Sequence, residues 1–180
     1  MEINTARLIL KEINWDDLEN IHNLHSIPEV DEYNCLGIPE NIEETKAFLL
    51  PFIEEQKLDK RKKYFWKIII KETNKFIGIA GYSLSLDKFK LGEIYYKLLP
   101  CEWGNGYATE LAKELIKTGF EIFNLHKVEA GVEINNIASI KVLEKCGMTR
   151  EGLRRKILPI RGVWKDNYHY AIVEDDPRNY

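Results

Sequence analysis

Two glycines one residue apart, Gly104 and Gly106, sit in LLPCEWGNGYATELAKELI, which runs from Leu98 to Ile116. An apolar, aromatic run precedes them and a helical pattern follows at once. A dinucleotide fingerprint needs Gly-x-Gly-x-x-Gly in a parallel βαβ unit, but Thr109 stands where the third glycine belongs. A phosphate loop needs four residues between its glycines and then Lys-Ser/Thr, and neither is present. The remaining chemistry is an anion cradle made of backbone. First-turn N–H groups of a helix lack internal partners and carry partial positive charge. Glycine at 104 and 106 lets a pyrophosphate come close to them, and Tyr107, Ala108 and Thr109 add donors. Without a lysine such a loop holds a diphosphate handle and activates no γ-phosphate. A glycine-rich connection that merely starts a helix explains the same residues equally well.

The cradle needs a strand before it and a helix after it. RLILKEI (Arg7–Ile13) alternates as a strand. NWDDLENIHNLHS reads as a short helix with an Asn14 cap and Leu18, Ile21 and Leu24 on one face. PENIEETKAFLLPFIEEQKLDK reads as a second helical region, kinked or split by Pro51. KYFWKIIIKE, NKFIGIAGYSLSL and LGEIYYKLL read as three strands in antiparallel hairpins. From Gly104 to Phe123 a helical stripe is formed by Leu111, Leu115, Ile116, Phe120 and Phe123. HKVEAGVEI is a strand. NNIASIKVLEKCG is a helix with apolar Ile137, Ile140, Val142 and Leu143, closed by Gly147. REGLRRKILPI and WKDNYHYAIVE are two last strands joined through Arg161–Gly162. The pattern predicts an α+β fold: a mixed, mostly antiparallel central sheet of about seven strands flanked by about four helices.

At 180 residues the chain suits one domain spanning 1–180. A formal net charge of −3 implies no general affinity for nucleic acid. No apolar run approaches a membrane span of roughly 18 residues, and the N-terminus lacks the pattern of a secretory signal. Cys35, Cys101 and Cys146 are odd in number and scattered, which fits neither a disulfide framework nor a metal site. A cytoplasmic protein without metal is expected, with each cysteine a small buried apolar residue.

The pair strand–Gly-rich turn–helix, then strand–Asn–helix–Gly, resembles the two core motifs of the GNAT superfamily of N-acetyltransferases. That family's loop pattern, Gln/Arg-x-x-Gly-x-Gly/Ala, falls on Trp103-Gly104-Asn105-Gly106-Tyr107-Ala108. Trp103 departs from it. The stretch LP-x-x-WGNGYATE, together with NNIASIKVLEKCGM and GVWKDNYHYAIVEDD, is similar to the Rim-type branch, which acetylates N-termini of ribosomal proteins. The resemblance runs from ARLIL to VEDD and implies acetyl-CoA as cosubstrate and an amine as acceptor. It leaves room for a homodimer.

The implied reaction needs a proton acceptor, a donor to the oxyanion and a stabiliser of the departing thiolate. By resemblance, the strand before the loop offers free backbone groups at Tyr96 to Leu98, with the Leu98 N–H as oxyanion donor. Many relatives carry a thiolate-protonating tyrosine at the position held here by Leu143. One helical turn earlier, Ser139 could donate to the sulfur instead. Asn136 matches the asparagine that bonds the pantetheine arm, or it caps the helix, with Asn135 as competing cap. Glu93 and Glu133 are the candidate bases if burial raises their acid constants; a solvated strand glutamate is the alternative for each. His169 is a further candidate by residue type, though a lone strand histidine is more often structural.

Between Glu29 and Glu55 lie eight acidic residues and one basic residue, Lys46. In relatives the first two helices cover the acceptor side, where such a rim would draw a cationic amine. A protein N-terminus, a polyamine and an amino-sugar all qualify. Two other classes stay open: a CoA-binding sensor without turnover, and an interaction domain that binds no acetyl-CoA.

Overall fold

In this chain the apolar alternation builds a sheet and the 3.6-residue stripes cover its two faces. The computed structural model describes residues 1–178 and 180. Eight strands are described: β1 (Glu2–Asn4), β2 (Leu8–Glu12), β3 (Lys63–Ile70), β4 (Lys75–Leu84), β5 (Leu91–Leu98), β6 (Lys127–Glu133), β7 (Thr149–Ile160) and β8 (Val163–Val173). They form one sheet in the order β1-β2-β3-β4-β5-β6-β8-β7. Every neighbouring pair is antiparallel except β5–β6. The β7–β8 hairpin turns on Arg161 and Gly162, both with positive φ (47° and 75°), as a two-residue primed turn requires.

The helices are α1 (Leu18–His25), α2 (Pro28–Asp31), α3 (Ile42–Glu55), α4 (Tyr107–Glu121) and α5 (Ile137–Lys145). Asn14 and Asp17 form a capping box on the 3-10 turn that leads into α1. Gly147, at φ 83°, ends α5. Its N–H donates to the Glu144 carbonyl and the Met148 N–H to the Leu143 carbonyl, a Schellman closure. One sheet face packs Trp66, Ile94, Leu98 and Val128 against Leu111 and Leu115 of α4 and Leu143 of α5. The other packs Phe65 and Ile79 against Ile21, Leu24 and Leu49 of α1 and α3.

This is the expected α+β fold with one more strand and one more helix. The additions are β1 and α2. Three residues with a single buried Ile3 are too few to show an alternation, and α2 is one turn started by Pro28. Pro51 does not split α3, which runs unbroken. The ring sits on the exposed side, where water can take the carbonyl that loses its donor. Of the three cysteines only Cys146 is buried.

The feature that positions the site is the splay of β5 from β6. Their parallel pairing covers only Leu91↔Lys127, Gly92↔Val128 and Glu93↔Glu129. Beyond Glu93 the strands part. The Leu99 N–H donates to the Ile77 carbonyl across β4, which makes Leu98↔Gly78 a pair that exchanges no hydrogen bonds. Antiparallel alternation therefore turns the Tyr96 and Leu98 backbone groups away from β4, into the opening.

Candidate active site

A cleft of about 390 Å³ opens where β5 and β6 diverge. Its floor is the end of β5: Tyr96, Lys97 and Leu98. One wall is Trp103, Gly104, Gly106, Tyr107, Ala108 and Thr109 of the glycine loop and α4; another is Asn136 and Ser139 of α5. The far wall is α2 and its exit, with Glu29, Glu32 and Tyr33.

Gly104 and Gly106 hold φ values of 80° and 79°. This left-handed backbone is what requires glycine there, since a Cβ on Gly104 would meet nothing within 4 Å and one on Gly106 only the Arg7 guanidinium, at 3.5 Å. Gly106 caps α4 with no side-chain bond. Among the described residues the six consecutive N–H groups from Gly104 to Thr109 find no acceptor. Six orphan donors on an exposed loop at a helix N-terminus, with Lys141 and Lys145 on the facing helix, make a cradle that suits a diphosphate.

Trp103 does not replace the family's Gln or Arg in kind. Its indole Nε1 donates to the Leu98 carbonyl at 2.9 Å and ties the loop to the end of β5. Asn105 is turned out of the cleft: its amide donates to the Glu102 carbonyl and its own carbonyl accepts from Arg7. Arg7 and Glu110 escaped sequence reasoning. The Glu110 carboxylate accepts from the Thr5 hydroxyl (2.6 Å), the Arg7 N–H (2.7 Å) and the Arg7 guanidinium (2.6 Å). Burial would raise this carboxyl, but those donors outweigh it and hold it below the usual carboxylate range. The guanidinium also lies 4.5 Å from the Tyr107 ring centroid. No local pattern announces a clamp whose halves lie about a hundred positions apart.

Asn136 caps α5, its side-chain oxygen accepting from the Ser139 N–H at 3.1 Å, and its amide still lines the cleft. The competing cap, Asn135, is tied to Glu133 instead. Ser139 faces the cleft from the first turn of α5. The buried Tyr96 hydroxyl lies near it and near the Cys146 thiol but makes no hydrogen bond among the described residues, and this phenol from the strand reaches the inner face of α5 around Leu143. Burial raises the Tyr96 phenol well above its ordinary value, and the Ser139 contact opposes that rise.

The two candidate bases are not brought into the cleft. Glu133 is 4% exposed, and its oxygens accept from the Asn135 N–H (2.7 Å) and amide (3.0 Å). Glu93 projects from the opposite sheet face at the last paired rung, beside Glu129. Desolvation raises its carboxyl and Arg154 opposes the shift, while its outer edge stays in water. His169 belongs to the same surface network, 3.3 Å from Glu129.

A family model for the acetyltransferase (GNAT) domain matches residues 7–149. The chain is 32% identical over 181 residues to an uncharacterized N-acetyltransferase, YnaD, of Bacillus subtilis, covering 98% of this chain and 99% of that protein. The solved structure of Mycobacterium smegmatis RimJ in complex with CoA-disulfide superposes with a TM-score of 0.87 at 18% identity, covering 97% of this chain and 88% of that one. Vibrio cholerae spermidine N-acetyltransferase, in complex with CoA and spermine, superposes at 0.82 and 22% identity, covering 95% and 98%. Rim-type enzymes thus stand among the structural neighbours. The chain belongs to the GNAT family of acetyl-CoA-dependent N-acetyltransferases.

Proposed function

We propose that this chain acetylates the primary amine of a cationic acceptor by direct attack on acetyl-CoA in a ternary complex. The observation that carries this is the row of N–H groups from Gly104 to Thr109, without partners among the described residues, at one end of a cleft. Those donors hold the diphosphate, and Lys141 and Lys145 add positive charge nearby. The Asn136 amide takes the pantetheine arm as it runs between α4 and α5 toward the splay. There the Leu98 N–H meets the carbonyl oxygen as it becomes an oxyanion. The Ser139 hydroxyl, backed by the Tyr96 phenol, donates to the departing sulfur. A tyrosine at position 143 is not needed for that hydrogen bond.

The acceptor enters from the α2 side. Glu29 and Glu32, two of the eight acids in that stretch, line the cleft, and both are exposed. Their charge favours an acceptor that carries cations of its own, such as a basic peptide N-terminus, a polyamine or an amino-sugar. Calorimetry with acetyl-CoA, followed by a free-thiol assay across peptide N-termini, polyamines and aminoglycosides, tests the reading. Binding with thiol release is expected. Binding without release on any amine would make the chain a CoA sensor, and no binding would overturn the reading.

A further inference from the structure

The proposed reaction still needs a group to take the proton from the attacking amine. Glu133 is spent on the turn before α5, and Glu93 stands outside the cleft. Of the charged side chains that line it, Lys141 and Lys145 lie toward the phosphates, and Glu102 is paired with Lys75 at 2.6 Å. Glu29 and Glu32 are exposed at the mouth, out in water. Lys97 remains. It is half-buried, and its side chain makes no hydrogen bond or ion pair among the described residues. It precedes Leu98, so its side chain leaves β5 toward the α1–α3 face while the Leu98 N–H points into the splay. One residue thus stands on the acceptor side of the reacting carbonyl and the next beneath its oxygen.

We propose that Lys97 is the general base, an assignment that rests on the acetyl-transfer reading above. Its surroundings fit the task. Desolvation holds its ammonium down to about 8, against the pull of Asp31 and Cys35. Asp31 cannot fully neutralise it, because one carboxylate oxygen already accepts from Arg161 at 3.1 Å. From α1, the buried His25 presents a neutral imidazole, its acid constant lowered to about 3 by burial first and then by Lys97 itself. Exposed Glu32 flanks Asp31, and Glu93 and Tyr95 share the strand face of Lys97.

In the step, the neutral Lys97 amine takes a proton from the ammonium of the bound acceptor; the freed lone pair forms the C–N bond and the thioester π electrons move to oxygen, over the Leu98 N–H. The oxyanion then collapses, the C–S bond breaks, and the departing thiolate takes the second surplus N–H proton, relayed through Ser139 or water. Lys97 returns its own proton to solvent. An α-ammonium, near 8, is matched to this base, whereas an alkylammonium, near 10.4, is more than about a hundredfold harder to deprotonate. The base therefore favours α-amines, as in a peptide N-terminus, over polyamines.

The test is kcat against pH, at saturating acetyl-CoA, for wild type, Lys97→Met and Lys97→Arg on an α-amine peptide and on a polyamine. Wild type should show one acid limb near pH 8, common to both acceptors. Both variants should lose about a hundredfold or more in kcat, with acetyl-CoA affinity by calorimetry within about threefold. Arginine keeps the charge but cannot give up its proton, so substantial activity in Lys97→Arg would overturn the proposal and leave a charge role only. A fully active Lys97→Met would overturn it too. If either variant fails to fold, the wild-type profile decides: a limb that moves with the acceptor's own acid constant refutes the assignment. A wild type that turns over no amine fails the acetyl-transfer reading itself; an active wild type with active variants fails only Lys97.

Discussion

The two ends of the cleft are built from different materials. The end proposed for the acetyl donor is main chain: a run of N–H groups from contiguous residues, Gly104 to Thr109, opened by two left-handed glycines. The end proposed for the acceptor is side chains drawn from α2, β5 and the β7–β8 turn, where Arg161 reaches Asp31 and the Glu32 carbonyl across about 130 positions. A diphosphate can be gripped by any backbone that presents its amides, so that end tolerates varied side chains. Choosing and deprotonating an amine requires particular side chains at particular distances. One fold can therefore keep the first end and change the second.

Gly106→Val should break the donor end alone and have the largest effect. A β-branched residue at φ 79° is strained by roughly 1–3 kcal/mol, and its side chain would stand beside the Arg7 guanidinium. If the loop swings to relieve the strain, the row of amides loses its alignment. We expect acetyl-CoA affinity to fall about a hundredfold in calorimetry, in a variant that still folds. Unchanged affinity would separate the glycines from the cradle.

The acceptor end titrates and the donor end, being backbone, does not. His25 is 2% exposed and its acid constant is lowered to about 3, so the folded state keeps it neutral. Below the unfolded value, near 6.5, only the unfolded chain takes the proton. Stability from this group is therefore full above pH 6.5 and falls with the pH, by about 2 kcal/mol between pH 7 and pH 5. Urea midpoints across that range should show it, and His25→Leu should flatten the slope. A wild-type curve that stays level over that interval would mean that the imidazole finds a proton-accepting partner when folded.

At the meeting point of the two ends, Ser139→Ala should lower kcat about tenfold, with acetyl-CoA affinity within about threefold. A larger loss of affinity than of turnover would assign the hydroxyl to binding, and an unchanged kcat would leave the Tyr96 phenol nothing to act through.

The same contrast explains what could be read from the sequence. Gly104, Gly106 and the stripe of Leu111, Leu115 and Ile116 are neighbours in the chain, so their periodicity and spacing announced the left-handed turn and its helix. Asn136 was legible as a cap because capping acts over three residues. The Arg7–Glu110 clamp, the Arg161–Asp31 latch and the half-buried placement of Lys97 depend on which strands pair. Sequence spacing carries no such information. Glu133 shows the limit from the other side: a strand-end carboxylate has a base's chemistry in the sequence, but two hydrogen bonds to Asn135 show what it does. The short elements β1 and α2 went unseen because one buried residue or one helical turn sets up no period.

The smallest expected effect probes how the acceptor end gathers its substrate. Glu29 and Glu32 are exposed, so each acts on an approaching cation chiefly through a screened field. Replacing both by glutamine leaves volume and hydrogen-bonding capacity almost unchanged and removes two negative charges from the mouth. For a cationic acceptor kcat/KM should fall about threefold at low ionic strength, with kcat constant, because encounter is weakened and chemistry is not. The deficit should shrink toward nothing as salt rises toward about 0.5 M, where wild type loses the same advantage. A deficit that persists at high salt would mean that one of the carboxylates touches the bound amine, and the acceptor end would then hold its substrate by contact as well as by field.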